Sequence, residues 1–171
     1  MAKRARTQAD KERGQRLIER ARELFTELAS NHGLTLEWDE KGHVELAAHL
    51  PAQLGLDWWL WLNLQGEDEI GVQSAWFSVE WFPADDPERE TEFMAALNGL
   101  LSGSVRLVCK FGARKDFPYA VSLESETDAG WVNIASYYKG IHFGRPNGIM
   151  ILRNGHDPIL EGRARSLPLL A

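Results

Sequence analysis

A chain of 171 residues is long enough to bury a core without metals or disulfides, and its single cysteine, Cys109, excludes an internal disulfide framework and a cysteine-rich zinc site. Apolar residues at 44% and charged residues at 26% give the balance of a soluble globular protein, and no apolar run approaches the ~20 residues of a membrane span. The net charge of −6 is uneven: residues 1–22 hold eight Lys/Arg against three Asp/Glu, or +5, leaving −11 on the remainder and disfavouring nucleic-acid binding by the body of the protein.

The basic N-terminal stretch has no hydrophobic segment behind it, so it does not read as a secretory signal, and the cytoplasm is the expected location. Were nucleic acid a partner, Lys3, Arg4, Arg6, Lys11, Arg13 and Arg16 would be the phosphate contacts. From about Gln8 to Asn31, Leu17, Ala21, Leu24 and Leu28 recur at helical spacing with Ile18, Phe25 and Ala29 beside them, which predicts an amphipathic helix ending near Gly33. Residues 1–12 lack the stripe and are expected to fray as a basic arm. A short hairpin follows, with Leu34, Leu36 and Trp38 on one arm, a turn at Asp39-Glu40-Lys41-Gly42, and Val44, Leu46 and Ala48 returning. His43 and His49 fall outside this apolar alternation.

Residues 56–82 hold five of the seven tryptophans and read as one long hairpin about a turn at residues 65–69. Leu56, Trp58, Leu60, Leu62 and Leu64 share one strand face, and pairing Leu64 with Ile70 and Leu62 with Val72 makes that face apolar except for Ser74 and Ser78. The other face carries Asp57, Trp59, Trp61 and Asn63, continued on the returning arm by Val79 and Trp81. A ridge of Trp59, Trp61, Val79 and Trp81 is too large to leave wet, and it requires either a covering layer or a partner. Glu67, Asp68 and Glu69 sit in the turn, while Asp57, Asp85 and Asp86 fall at the open end. On strand rise the two acidic groups lie ~30 Å apart, too far to share a metal or act as a carboxylate pair.

Asp86 as cap, Pro87 at the first helical position and Glu88, Glu90 and Glu92 behind it predict a second helix, with Phe93, Leu97 and Leu100 buried and Gly103 at its end. Val105, Leu107, Cys109 and Phe111 alternate inward on one strand and Phe117, Tyr119, Val121 and Leu123 on the next, with Pro118 marking a strand start or a sheet edge. For residues 128–139 the spacing of Trp131, Ile134, Ala135 and Tyr138 behind Asp128 predicts a helix, although Trp131 to Ile134 and Tyr137-Tyr138 have strand composition. Residues 141–144 and 149–153 flank a turn at Arg145-Pro146-Asn147-Gly148. Residues 154–171 have no periodicity and read as an irregular tail.

The predicted fold is α+β in a single domain, a mostly antiparallel sheet of hairpins with the long N-terminal helix and a second helix after the fourth strand laid upon it. In element order this resembles the small acidic chaperone domains of bacterial secretion systems, a likeness accompanied by no motif residues. No phosphate loop, dinucleotide fingerprint, metalloprotease motif or nucleophile elbow occurs. Nothing calls for a cofactor or metal. The sequence therefore points to a non-enzymatic module of immunity-protein, inhibitor or dedicated-chaperone type. It would bind a basic protein, or a second copy, through Trp59, Trp61, Val79 and Trp81 with Asp57, Asp85 and Asp86 as an acidic rim. The alternative is a small enzyme or ligand-binding domain with a pocket near His142, Tyr137 and Tyr138, the one place where a histidine and tyrosines cluster.

Overall fold

The computed structural model describes residues 7–66, 68–112, 117–138 and 145–162. Thr7 accepts a hydrogen bond from the Asp10 amide while Asp10 accepts one from the Thr7 amide, and this reciprocal cap starts helix α1 (Gln8–Asn31). Residues 8–12 are consequently helical, where sequence reading expects fraying. Helix α2 (Pro87–Ser102) opens as its sequence predicts, with the Asp86 carboxylate accepting from the Glu88 amide at 2.9 Å, and closes on Gly103 at φ +77°. Glycine is required there twice over, because any Cβ would also fall 2.7 Å from the Asn154 carbonyl oxygen.

Five strands follow α1: β1 (Glu37–Trp38), β2 (Leu46–Leu50), β3 (Leu60–Gln65), β4 (Glu69–Gln73) and β5 (Ser78–Trp81). They form one antiparallel sheet in the order β1-β2-β3-β4-β5. Five more follow α2: β6 (Val105–Phe111), β7 (Ala120–Thr127), β8 (Gly130–Tyr138), β9 (Gly148–Leu152) and β10 (Ile159–Gly162). Their order is β10-β9-β6-β7-β8, again antiparallel throughout. The α+β class is thus correct, with two sheets in place of one.

The inward faces are hydrophobic by strand alternation. Leu46, Ala48 and Leu50 of β2, Leu60, Leu62 and Leu64 of β3, and Ile70 and Val72 of β4 are all buried and share one continuous cluster with Leu24, Phe25 and Leu28 of α1 and Phe93, Leu97 and Leu100 of α2. The same cluster continues into Leu107, Cys109, Val121, Leu123, Met150 and Leu152 of the second sheet. Aromatic rings bridge the elements: Trp38 stacks on Phe25 at 6.5 Å, Phe25 meets Phe93 at 6.1 Å, and Phe93 meets Trp81 edge to face at 5.3 Å. Phe25 and Phe93 are fully buried, each worth ~2–3 kcal/mol relative to exposure.

The structure corrects the predicted central hairpin and, with it, the faces and distances that followed from it. The long hairpin holds only between Trp61 and Gln73, where Leu64 faces Ile70 and Leu62 faces Val72. Beyond it the chain reverses: the Ser74 amide donates to the Phe77 carbonyl at 2.9 Å, and β5 returns along β4 with Val79 opposite Val72 and Trp81 opposite Ile70. Val79 and Trp81 therefore belong to the inward face, and α2 follows the fifth strand. The reversal also carries Asp85 and Asp86 back to the turn end of the hairpin, where the Ala84 amide donates to the Asp68 carbonyl at 2.6 Å, so the expected ~30 Å separation from that turn does not exist.

Residues 130–138 are strand β8 and no helix. Leu123 faces Ala135 but Glu124 faces Asn133, leaving Ile134 as a bulged residue that resets the alternation. The apparent helical stripe is thereby split, with Trp131 and Tyr138 on the outward face and Ala135 on the inward one. The tail is also ordered as far as it is described. Asn154 is buried and β10 pairs with β9.

Asn154 joins three segments. Its amide nitrogen donates to the carbonyls of Leu101 at 2.6 Å and Gly55 at 2.8 Å, and its oxygen accepts from the Asp57 amide at 3.0 Å. Replacing it strands three backbone groups, so Asn154→Ala is expected to cost ~2–4 kcal/mol in urea unfolding. Breaking the exposed Arg13–Asp85 pair, 2.7 Å long, by Arg13→Ala should cost less than ~1 kcal/mol in the same experiment.

Candidate functional site

Because α1 and α2 pack on the inward face of the first sheet, its outward face has no helical layer among the described residues. Strand pairing aligns Glu37, His49, Trp61, Gln73 and Ser78 as one row across all five strands. Trp59 lies just ahead of β3, its ring 5.9 Å from the His49 ring. His49, Trp59, Trp61 and Gln73 line an open concavity of about 550 Å³. Both tryptophans are half-buried, resting on their neighbours with an exposed side. Glu37 borders the row, with its Oε2 3.8 Å from His49 Nδ1.

The other anchors and acidic groups named from sequence are elsewhere. Trp81 is buried against Phe93, and Val79 packs onto the core from the inward face. Asp85 pairs with Arg13, Asp86 caps α2, and Asp57 accepts from the Gly155 amide at 2.6 Å. The carboxylates that do share the outward face are Glu37, Glu69 and Glu80, placed there by their partners His49, Gln65 and Gly71. His49 was legible as a break in an apolar alternation, but its place opposite Trp61 and beside Trp59 depends on the β2–β3 register, which sequence did not supply.

Tyr137 faces Val121 and Tyr138 faces Ala120, so the two tyrosines point to opposite sides of β8 and do not line one pocket. Tyr137 lines a cleft of about 220 Å³ with Ser74, Trp76, Phe77, Phe117 and Pro118 where β5 approaches β8, while Tyr138 is exposed. His142 lies outside the described residues, as do Lys3, Arg4 and Arg6. Of the remaining basic candidates, Lys11 and Arg16 are exposed on α1 and Arg13 is paired. No cluster of three or more metal-ligating side chains occurs among the described residues. No helix among them is long and apolar enough to cross a membrane.

Trp131 forms a second aromatic feature that sequence reading left unassigned. Arg106 lies 4.1 Å and Arg153 5.1 Å from its ring centre, and these arginines pair with Glu124 and Glu126, each at 2.7 Å. Its cations and carboxylates satisfy one another, so this cluster asks for no further ligand.

Cys109 is fully buried in β6, and desolvation pushes its thiol from the ordinary value near 9 up to about 12. It is not a nucleophile at neutral pH. Above pH 9 the unfolded chain ionises this thiol and the folded one does not, so the unfolded state binds fewer protons and stability falls as pH rises toward 12. Relative to Cys109→Ala, the wild type should lose ~1.4 kcal/mol per pH unit across that window in alkaline denaturation. The two classes of tryptophan are separable by the same kind of measurement. Trp81→Ala should cost ~3–5 kcal/mol, whereas Trp59→Ser and Trp61→Ser should cost ~1–2 kcal/mol each with the fold retained. No protein family matches the chain, and neither a curated protein nor a solved structure does.

Proposed function

We propose that the protein is a non-enzymatic cytoplasmic binding module, of immunity-protein, inhibitor or dedicated-chaperone type, that docks another protein on the outward face of its first sheet. The observation that carries this reading is the pair Trp59 and Trp61, half-buried around a concavity on the face that neither α1 nor α2 covers. Large aromatics in such a setting supply most of the energy of an interface, because they exclude water over a wide area at little entropic cost. The carboxylates Glu37, Glu69 and Glu80 take over the rim role and favour a basic partner. A second copy docked on the same face is a variant of this reading.

Tagged protein recovered gently from its native host and sized by light scattering tests it. A stoichiometric partner or a stable dimer is expected, weakened more than ~100-fold by Trp59→Ser/Trp61→Ser without loss of the melting transition. A monomer with no partner, or an association that ignores both substitutions, refutes it.

A second reading draws on the cleft at Tyr137. Its volume of about 220 Å³ falls below the ~300–1,000 Å³ of most small-molecule sites, which places it behind the first. It predicts that some metabolite raises the melting temperature in wild type but not in Tyr137→Ala.

A further inference from the structure

Two of the other part-exposed tryptophans, though not Trp76 in the Tyr137 cleft, carry a cation of this protein's own, and that contrast indicates what the Trp59/Trp61 face takes. Trp38 has the Arg22 guanidinium 4.2 Å above its ring, and Trp131 has Arg106 and Arg153. Among the described residues no guanidinium or ammonium lies over Trp59 or Trp61. The outward positions of β1 to β5 carry three ionised groups, Glu37, Glu69 and Glu80, and no lysine or arginine. Two negative aromatic faces thus stand beside His49 in a field of carboxylates, with no lysine or arginine over them among the described residues. The outward face of the second sheet, by contrast, sets Arg106 against Glu124 and adds Lys110.

Resting on the docking reading above, we infer that the Trp59/Trp61 concavity is a guanidinium site, occupied by an arginine side chain of a basic segment of the partner. Three properties select arginine. The planar guanidinium stacks on an indole face, it is less strongly hydrated than an ammonium, and it carries enough donors to bond Gln73 while its charge is offset by the glutamates. The concavity, at about 550 Å³, admits such a side chain and part of the adjoining backbone. The lining is mostly apolar, which suits the methylene stem below the charged head.

The test uses octa-arginine as probe, with octa-citrulline as the neutral control of the same shape and octa-lysine as the control for charge without planarity. Calorimetry should show octa-arginine binding to the full chain, octa-lysine more weakly, and octa-citrulline not at all. Trp59→Ser/Trp61→Ser leaves the net charge unchanged and should weaken octa-arginine about tenfold or more. Glu37→Gln/Glu80→Gln alters only exposed side chains and should also weaken it, the more so at low salt. Equal binding to the tryptophan variant would mean simple attraction to an acidic protein and would overturn the inference, as would equal binding of octa-citrulline or no binding of octa-arginine. The two proposals fail separately. A host partner lost on tryptophan replacement but not displaced by octa-arginine leaves docking intact and removes the guanidinium site. Tryptophan-dependent octa-arginine binding with no protein partner does the reverse.

Discussion

The first half of the structure depends on four rings in contact, Trp38, Phe25, Phe93 and Trp81, which run from one edge of the five-stranded sheet through both helices to its other edge. Each ring belongs to a different element. Burying Phe25 and Phe93 requires both helices on the same side of the sheet, and burying Trp81 requires β5 to present its inward face at the far edge. Arg13 and Arg20 of α1 reach Asp85 and Glu90 at the start of α2, adding orientation to an arrangement whose energy is hydrophobic.

That one-sidedness explains why the outward face is available. Once α1 and α2 are committed to the inward leucines, the chain has no described helix left to cover Trp59 and Trp61. The second sheet handles its outward aromatic differently, setting against the Trp131 ring two arginines that carboxylates anchor in turn. Two sheets of similar size thus have different surfaces, one electrostatically self-sufficient and the other uniformly acidic around an apolar hollow.

The features legible in the sequence were those written in local pattern. The stripe of Leu17, Ala21, Leu24 and Leu28 locates α1, Asp86-Pro87 and Gly103 bracket α2, and the alternating Val105 to Phe111 identifies β6 with its inward face. The core of the central hairpin was legible because a one-residue slip would have buried polar groups. The reversal at Ser74 was not, because Ser74-Ala75-Trp76-Phe77 contains neither glycine nor proline and Trp76 resumes the apolar parity of Ile70 and Val72 beyond Ser74. Assigning Val79 and Trp81 to the wrong face followed from that single miss. The bulge at Ile134 hid β8 in a related way, since a two-residue period interrupted once imitates a helical one. Asn154 gave no local sign at all, because its three partners lie about fifty and a hundred residues away in the chain.

The separation of carboxylates from indoles on the first sheet has a kinetic meaning. Glu37, Glu69 and Glu80 act across solvent, over distances comparable to the Debye length, and so orient a cationic molecule before it touches the protein. The tryptophan rings act only at contact, once water has left the hollow. Arrival and departure are therefore governed by different residues on the same face: ionic strength sets how often a partner reaches it, and the indoles set how long the partner stays.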